Sequence, residues 1–192
     1  SNRTGYAMVA DKVAYVTDAF GNYVGSKSFD DAASEDASVV EAVKTAAAGA
    51  YAAASEKNIS RIVKMYKDAE VVTLTPTGVQ STVNGAYTFT SEGATYYAMT
   101  ASAFGYGGPV NLLYIVDENG TIAKFKVMSH NETEYYGDVV SQSSYTNGYP
   151  GQQLDSIGDD VLVVSGCTFT TNAVKTAAAD VAAAFNAVKE AQ

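Results

Sequence analysis

The chain has 192 residues, 47% hydrophobic and 17% charged, with a formal net charge of −9 and a pI near 4.4. That length buries one core, or one core with a subdomain, and an acidic chain without a basic stripe argues against nucleic-acid partners, whose phosphates attract clustered Lys and Arg. The single cysteine, Cys167, excludes an internal disulfide framework and multi-cysteine metal sites, and no apolar run reaches the ~20 residues a membrane-spanning helix needs.

The chain opens on Ser1-Asn2, a pair that resembles a tag remnant, so a native signal or anchor is expected upstream. Val13 to Val24 predicts two short strands joined by a turn at Asp18 to Asn22. Residues 36–57 are alanine-rich, with Val39, Val40, Val43, Ala47 and Tyr51 near helical spacing, and Asp36 or Ser38 can cap their start. A second short helix is predicted over 59–70, with Ile62, Val63 and Tyr66 on one face and Asn58 or Ser60 punctuating between the two.

From Val71 the pattern becomes β: 71–75, 86–90, 95–104, 110–116 and 121–129, with Asn119-Gly120 signalling a hairpin. Consecutive strands with tight turns predict an α+β fold with a mainly antiparallel sheet flanked by helices. Residues 134–153, rich in Tyr, Ser and Gly, read as a loop, and 159–164 as a last strand. A terminal helix is predicted over 172–190, striped by Val174, Ala178, Val181, Phe185 and Val188.

With His130 as the only histidine and no G-x-S-x-G elbow, a serine-hydrolase triad has no support. His130 and Glu132 have the H-x-E spacing of zinc deaminases, but the C-x-x-C partner is absent. No P-loop or G-x-G-x-x-G is present. Three other stretches are candidates. Residues 104–110, "FGYGGPV", place Gly105, Gly107 and Gly108 before a strand, as a tight turn needs or as close approach by a flat ligand needs. Residues 130–137, "HNETEYYG", are a solvated loop or a set of aromatics flanking a planar ring. Residues 163–174, "VVSGCTFTTNAV", crowd hydroxyls at a strand-to-helix junction, where Thr170, Thr171 or Asn172 can cap the helix.

In this order the three motifs, with the terminal helix after them, resemble the FMN-binding domain family, which includes the G subunits of Rnf electron-transport complexes and the C subunits of sodium-translocating NADH:quinone reductases. The resemblance spans roughly residues 59–192. It rests on Gly105-Tyr106-Gly107-Gly108, on His130 with Glu132-Thr133 through Gly137, and on Ser165-Gly166-Cys167-Thr168 with Thr170, Thr171, Ala173 and Val174 behind it. The family's usual motif has alanine where this chain has Cys167, an aspartate where it has Leu162, and Pro-Gly-Leu where it has Glu134-Tyr135-Tyr136.

The resemblance implies an extracytoplasmic electron carrier, or redox-complex subunit rather than stand-alone enzyme, with FMN joined through a phosphoester to Thr168. Ser165, Gly166, Cys167 and Thr170 would surround the tether. Glu132 and Thr133 would position the ring, Tyr135 and Tyr136 would contact it, and Gly107 and Gly108 would admit it close to the backbone. It further implies a flavin transferase for maturation, redox partners at the membrane or surface, and a membrane or lipid anchor in the full-length bacterial protein. The terminal helix would follow the flavin-attachment turn; 58–192 would form the FMN-binding domain, and 1–57, a hairpin and alanine-rich helix, an accessory element. The alternatives are a domain binding FMN reversibly and a degenerate surface domain without redox activity.

Overall fold

The computed structural model describes residues 7–76, 82–134, 137–157 and 163–191. Two antiparallel sheets organise it. The smaller has the order β1-β2-β3, with β1 Ala7–Ala10, β2 Val13–Thr17 and β3 Tyr23–Ser28. The larger is a meander, β4 Glu70–Leu74, β5 Val83–Ser91, β6 Ala94–Phe104, β7 Pro109–Asp117 and β8 Ile122–Ser129, paired in chain order. The α+β class and the antiparallel meander agree with the sequence, and so does the β2–β3 hairpin.

Between the sheets runs α1, Ala37–Met65, one continuous helix where the sequence predicts two. Asp36 caps it, its Oδ1 accepting from the Ser38 and Val39 amides at 2.7 and 3.3 Å. Asn58 does not interrupt it: its buried side chain donates to the Tyr87 hydroxyl at 3.1 Å and accepts from Arg61 at 2.9 Å. Those tertiary bonds offset the few tenths of a kcal/mol, about 0.5, by which Asn disfavours a helix interior. Val40 and Val43 pack on Val13 and Tyr15 of the small sheet, while Ile62 packs on Tyr87, Phe89, Ala98, Leu113 and Ile115 of the large one.

The terminal helix packs on the opposite face of the large sheet. We call it α3, Thr168–Glu190, and α2 is the single turn Ser143–Thr146. Alternation along β7 divides the two layers: Val110, Leu112, Tyr114 and Val116 join Val174, Ala177, Val181 and Phe185 of α3 in one core, and Leu113 and Ile115 face α1.

Residues 137–157, read from sequence largely as loop, hold α2 and the 3₁₀ turns Asp138–Ser141 and Leu154–Ser156. Their composition is misleading because Tyr145 and Tyr149 are buried, with the Tyr149 ring stacked 3.9 Å from Phe125. This segment also covers the exposed edge of β8, where Ile122 N–H donates to the Gln152 carbonyl at 2.9 Å. Of the last strand predicted over 159–164, residues 159–162 lie outside the described residues, and Val163 and Val164 form no strand.

Candidate functional site at the amino end of the terminal helix

Three segments meet at one end of the large sheet. The first is the hairpin loop between β6 and β7, closed by the Gly105 N–H donating to the Gly108 carbonyl at 2.8 Å. The second is the chain leaving β8, Asn131 to Glu134. The third is the turn that starts α3.

Glu132 joins them. Its Oε1 accepts from the Gly107 amide at 3.1 Å, and its Oε2 accepts from the Tyr106 amide at 3.2 Å and the Thr170 hydroxyl at 2.5 Å. The glycines are needed for this approach: a Cβ at Gly107 would strike the Asn131 carbonyl, and a Cβ at Gly105 or Gly137 would strike the Glu132 carboxylate. Here the Gly-rich loop admits another stretch of backbone and a carboxylate.

The start of α3 differs from its sequence reading. The helix begins at Thr168, four residues early, and its N-cap is Cys167, whose side chain makes no capping bond. Thr170 and Thr171 lie inside the first turn, 2% and 0% exposed, and so cannot cap it. Their hydroxyls have other partners: Thr170 bonds Glu132, and Thr171 donates to the Cys167 carbonyl at 3.0 Å. Gly166, at φ +85°, turns the chain sharply enough for the helix to begin at once. The first-turn amides of Thr168, Phe169 and Thr170 point out of the helix end without intrahelical acceptors.

These segments enclose a cleft of about 450 Å³, lined by Glu132, Thr133, Gly166, Cys167, Thr168 and Thr170 among the residues expected from sequence. Tyr106, Gly137 and Phe169 line it as well; the first two stand within the motifs read from sequence, but none of the three was given a site role there. Thr168 is exposed in the cleft, whereas Thr170 is buried in its floor. Ser165 is exposed in the turn, and neither it nor Gly107 nor Gly108 lines the cleft. Tyr135 and Tyr136, like Leu162, lie outside the described residues.

The Tyr106 and Phe169 rings, 75% and 70% exposed, stand 6.1 Å apart at the rim. Exposed aromatics beside a cleft can serve as its apolar walls. Their sequence signal is slight: one aromatic within a glycine run and one directly after the hydroxyl-bearing turn.

The site's donor set fits FMN in kind. A helix amino end with unused amides suits a phosphate, an exposed hydroxyl stands beside it, and aromatic faces suit a flat ring.

Known proteins are similar to parts of this chain. The G subunit of a proton-translocating ferredoxin:NAD(+) oxidoreductase complex from Clostridium ljungdahlii is 29% identical over 86 residues, 41% of this chain and 46% of that protein. The G subunits of ion-translocating oxidoreductase complexes from Cereibacter sphaeroides and Shewanella loihica are 33% and 29% identical over 75 and 100 residues, 38% and 46% of this chain. The matched parts make up 34% to 47% of these relatives' lengths. The FMN-binding domain family model matches residues 105–183, from the Gly-rich hairpin through Glu132 and Thr168 into α3, so the resemblance read in the sequence is to this family.

Proposed function

We propose that this chain is an electron-transfer flavoprotein that carries FMN in the cleft at the start of α3, joined through a phosphoester to Thr168. One observation carries the reading: Thr168 presents an exposed hydroxyl at the first position of a 23-residue helix, inside the cleft that the family motifs build. When bound, FMN supplies one- and two-electron transfer; the protein supplies attachment, orientation and electrostatics.

Each part of the cleft has a role in that proposal. The dianionic or esterified phosphate is stabilised by the first-turn amides and the positive end of the α3 dipole. Tyr106 and Phe169 offer apolar faces to the ring, and Thr133 a hydroxyl at its edge. Glu132 holds the two loops and α3 together, so it positions the ring through the walls it fixes. Gly166 leaves open space on its Cα side, so a transferase can reach Thr168.

The relatives' names speak of ion-translocating redox complexes, which supports redox partners at a membrane; the extracytoplasmic face is our proposal and rests on the covalent tether. No helix among the described residues is long and apolar enough to cross a membrane. A covalent tether suits that location, because flavin released outside the cytoplasm is diluted away.

Co-expression with a flavin transferase followed by mass measurement in acid tests the attachment. The expected result is a gain of FMN minus water, absent in Thr168→Val. Unchanged mass, with the transferase active on another substrate, overturns covalent attachment. Yellow colour lost on denaturation would instead establish reversible binding, which the departures at Cys167 and Glu134-Tyr135-Tyr136 would then explain.

A further inference from the structure

A second cleft, of about 400 Å³, lies on the other face of the large sheet, between the middle of α1 and the strands. Its polar wall consists of Tyr51, Lys57, Asn58, Arg61, Asn84 and Asn111. Several of these groups already hold one another. Arg61 donates to Asn58 at 2.9 Å, Asn84 Oδ1 accepts from Thr100 at 2.7 Å, and Asn111 donates to Ser129 at 3.0 Å.

What remains unused is a set of donors. The Tyr51 hydroxyl is buried and makes no hydrogen bond of ordinary geometry, with Ser55 the hydroxyl side chain beside it. The Asn84 amide nitrogen, the Lys57 ammonium and the remaining guanidinium N–H groups add to it. No carboxylate among the described residues lines the cleft, and the ion pairs among those residues, Lys12–Asp30 and Lys44–Glu41, lie elsewhere. Asp18, on the adjacent β2–β3 turn, is taken up by the amides of Phe20 and Asn22 and the side chain of Asn22. Lys57 and Arg61 share this lack of an acidic partner with Lys27, Lys64 and Lys67, and differ from them in lining a cleft.

Donors converging with two positive charges select an anion, and the frame selects its kind. Lys and Arg pair with phosphate as well as with carboxylate, and a phosphate site commonly adds backbone amides at a helix amino end or a glycine nest. The cleft has neither: it sits at residues 50–61, far from the start of α1 at Ala37. A planar guanidinium with side-chain amides matches a planar carboxylate. Ala50, Ala54 and Met128 complete the wall with apolar surface.

We propose that this cleft binds a small organic carboxylate, its charged end on Lys57 and Arg61 and its apolar body against Ala50, Ala54 and Met128. Lys57 and Arg61 are exposed at the cleft mouth, so the anion enters without unfolding any element. The site is independent of FMN, which we place on the opposite side of the sheet.

The test is an NMR titration of the ¹⁵N-labelled 192-residue chain with benzoate, benzyl alcohol and inorganic phosphate, following the side-chain amides of Asn58, Asn84 and Asn111. Benzoate is expected to shift them saturably with a Kd of about 1 mM or tighter. Lys57→Gln and Arg61→Gln are each expected to weaken binding about tenfold, and Lys67→Gln, outside the cleft, to leave it unchanged. Absence of a saturable shift at ~10 mM benzoate, a Kd scale that still marks weak binding, overturns the proposal. Equal binding of benzyl alcohol or phosphate, or equal weakening by Lys67→Gln, also overturns it. Because the titration uses flavin-free protein, its failure leaves the Thr168 reading untouched, and the reverse holds.

Discussion

The Thr170 hydroxyl donates a 2.5 Å hydrogen bond to Oε2 of Glu132, 38 residues earlier, and so fastens the first turn of α3 to the loop that leaves β8. The same carboxylate accepts from the Tyr106 and Gly107 amides, which makes one side chain the junction of all three segments around the cleft.

Thr170→Val removes the donor while nearly keeping its shape, and leaves a half-buried carboxylate with fewer partners. The expected loss is about 1–2 kcal/mol, toward the low end for a hydrogen bond to a charged group. Urea unfolding checks the loss, and hydrogen exchange at Tyr106 and Gly107 should quicken if the junction loosens. Unaltered exchange at both amides would refute the role given to this bond.

Gly107→Ala and Gly166→Ala should rank in that order of damage. A Cβ at Gly107 meets the Asn131 carbonyl, so the Glu132 loop must shift, at a cost of about 1–3 kcal/mol. Gly166 has φ +85° and open space around it, so Ala there pays only for a left-handed backbone, about 1 kcal/mol. Urea midpoints of the two variants measured side by side decide the ranking.

Asn58→Ala tests the continuity of α1. Alanine is the better helix former by about 0.5 kcal/mol, yet the change severs the bonds to Tyr87 and Arg61. Net destabilisation of about 1 kcal/mol or more is expected, because the buried polar partners lose a bond. A more stable variant would show that propensity outweighs the tertiary link.

Alkaline pH should unfold the chain through its tyrosine cluster. Burial pushes Tyr145 up to about 12 from 10.0, and burial raises Tyr149 and Tyr114 as well. A folded-state pKa above the unfolded one means the neutral phenols stabilise the fold fully below pH 10, and that this contribution is lost as pH rises toward 12. Ultraviolet titration should show these three tyrosines ionising only as the fold is lost. Reversible ionisation of all of them in folded protein would contradict this.

Much of the architecture is legible along the chain because it is local. Strands β6 and β7 are legible as runs of apolar, aromatic and β-branched residues between turn signals, since a sheet between two helix layers buries both faces, Leu112 on one and Leu113 on the other. The turn before β8 is written in Asp117, Asn119 and Gly120, with Gly120 at φ +81°. The family motifs are legible for the same reason: each is a short run of residues whose order survives in one dimension.

The sequence by itself thus determined the fold class, the meander, the terminal helix and the neighbourhood of Thr168. Only the tertiary structure decided that α1 passes through Asn58, that α3 begins at Thr168, that Tyr145 and Tyr149 are core, and that Tyr106 and Phe169 stand together at the cleft. The physical reason is common to all four. An asparagine's preference, a threonine's capping ability and an aromatic's exposure are settled by partners far off in sequence, and Tyr87, Glu132 and Phe125 are such partners.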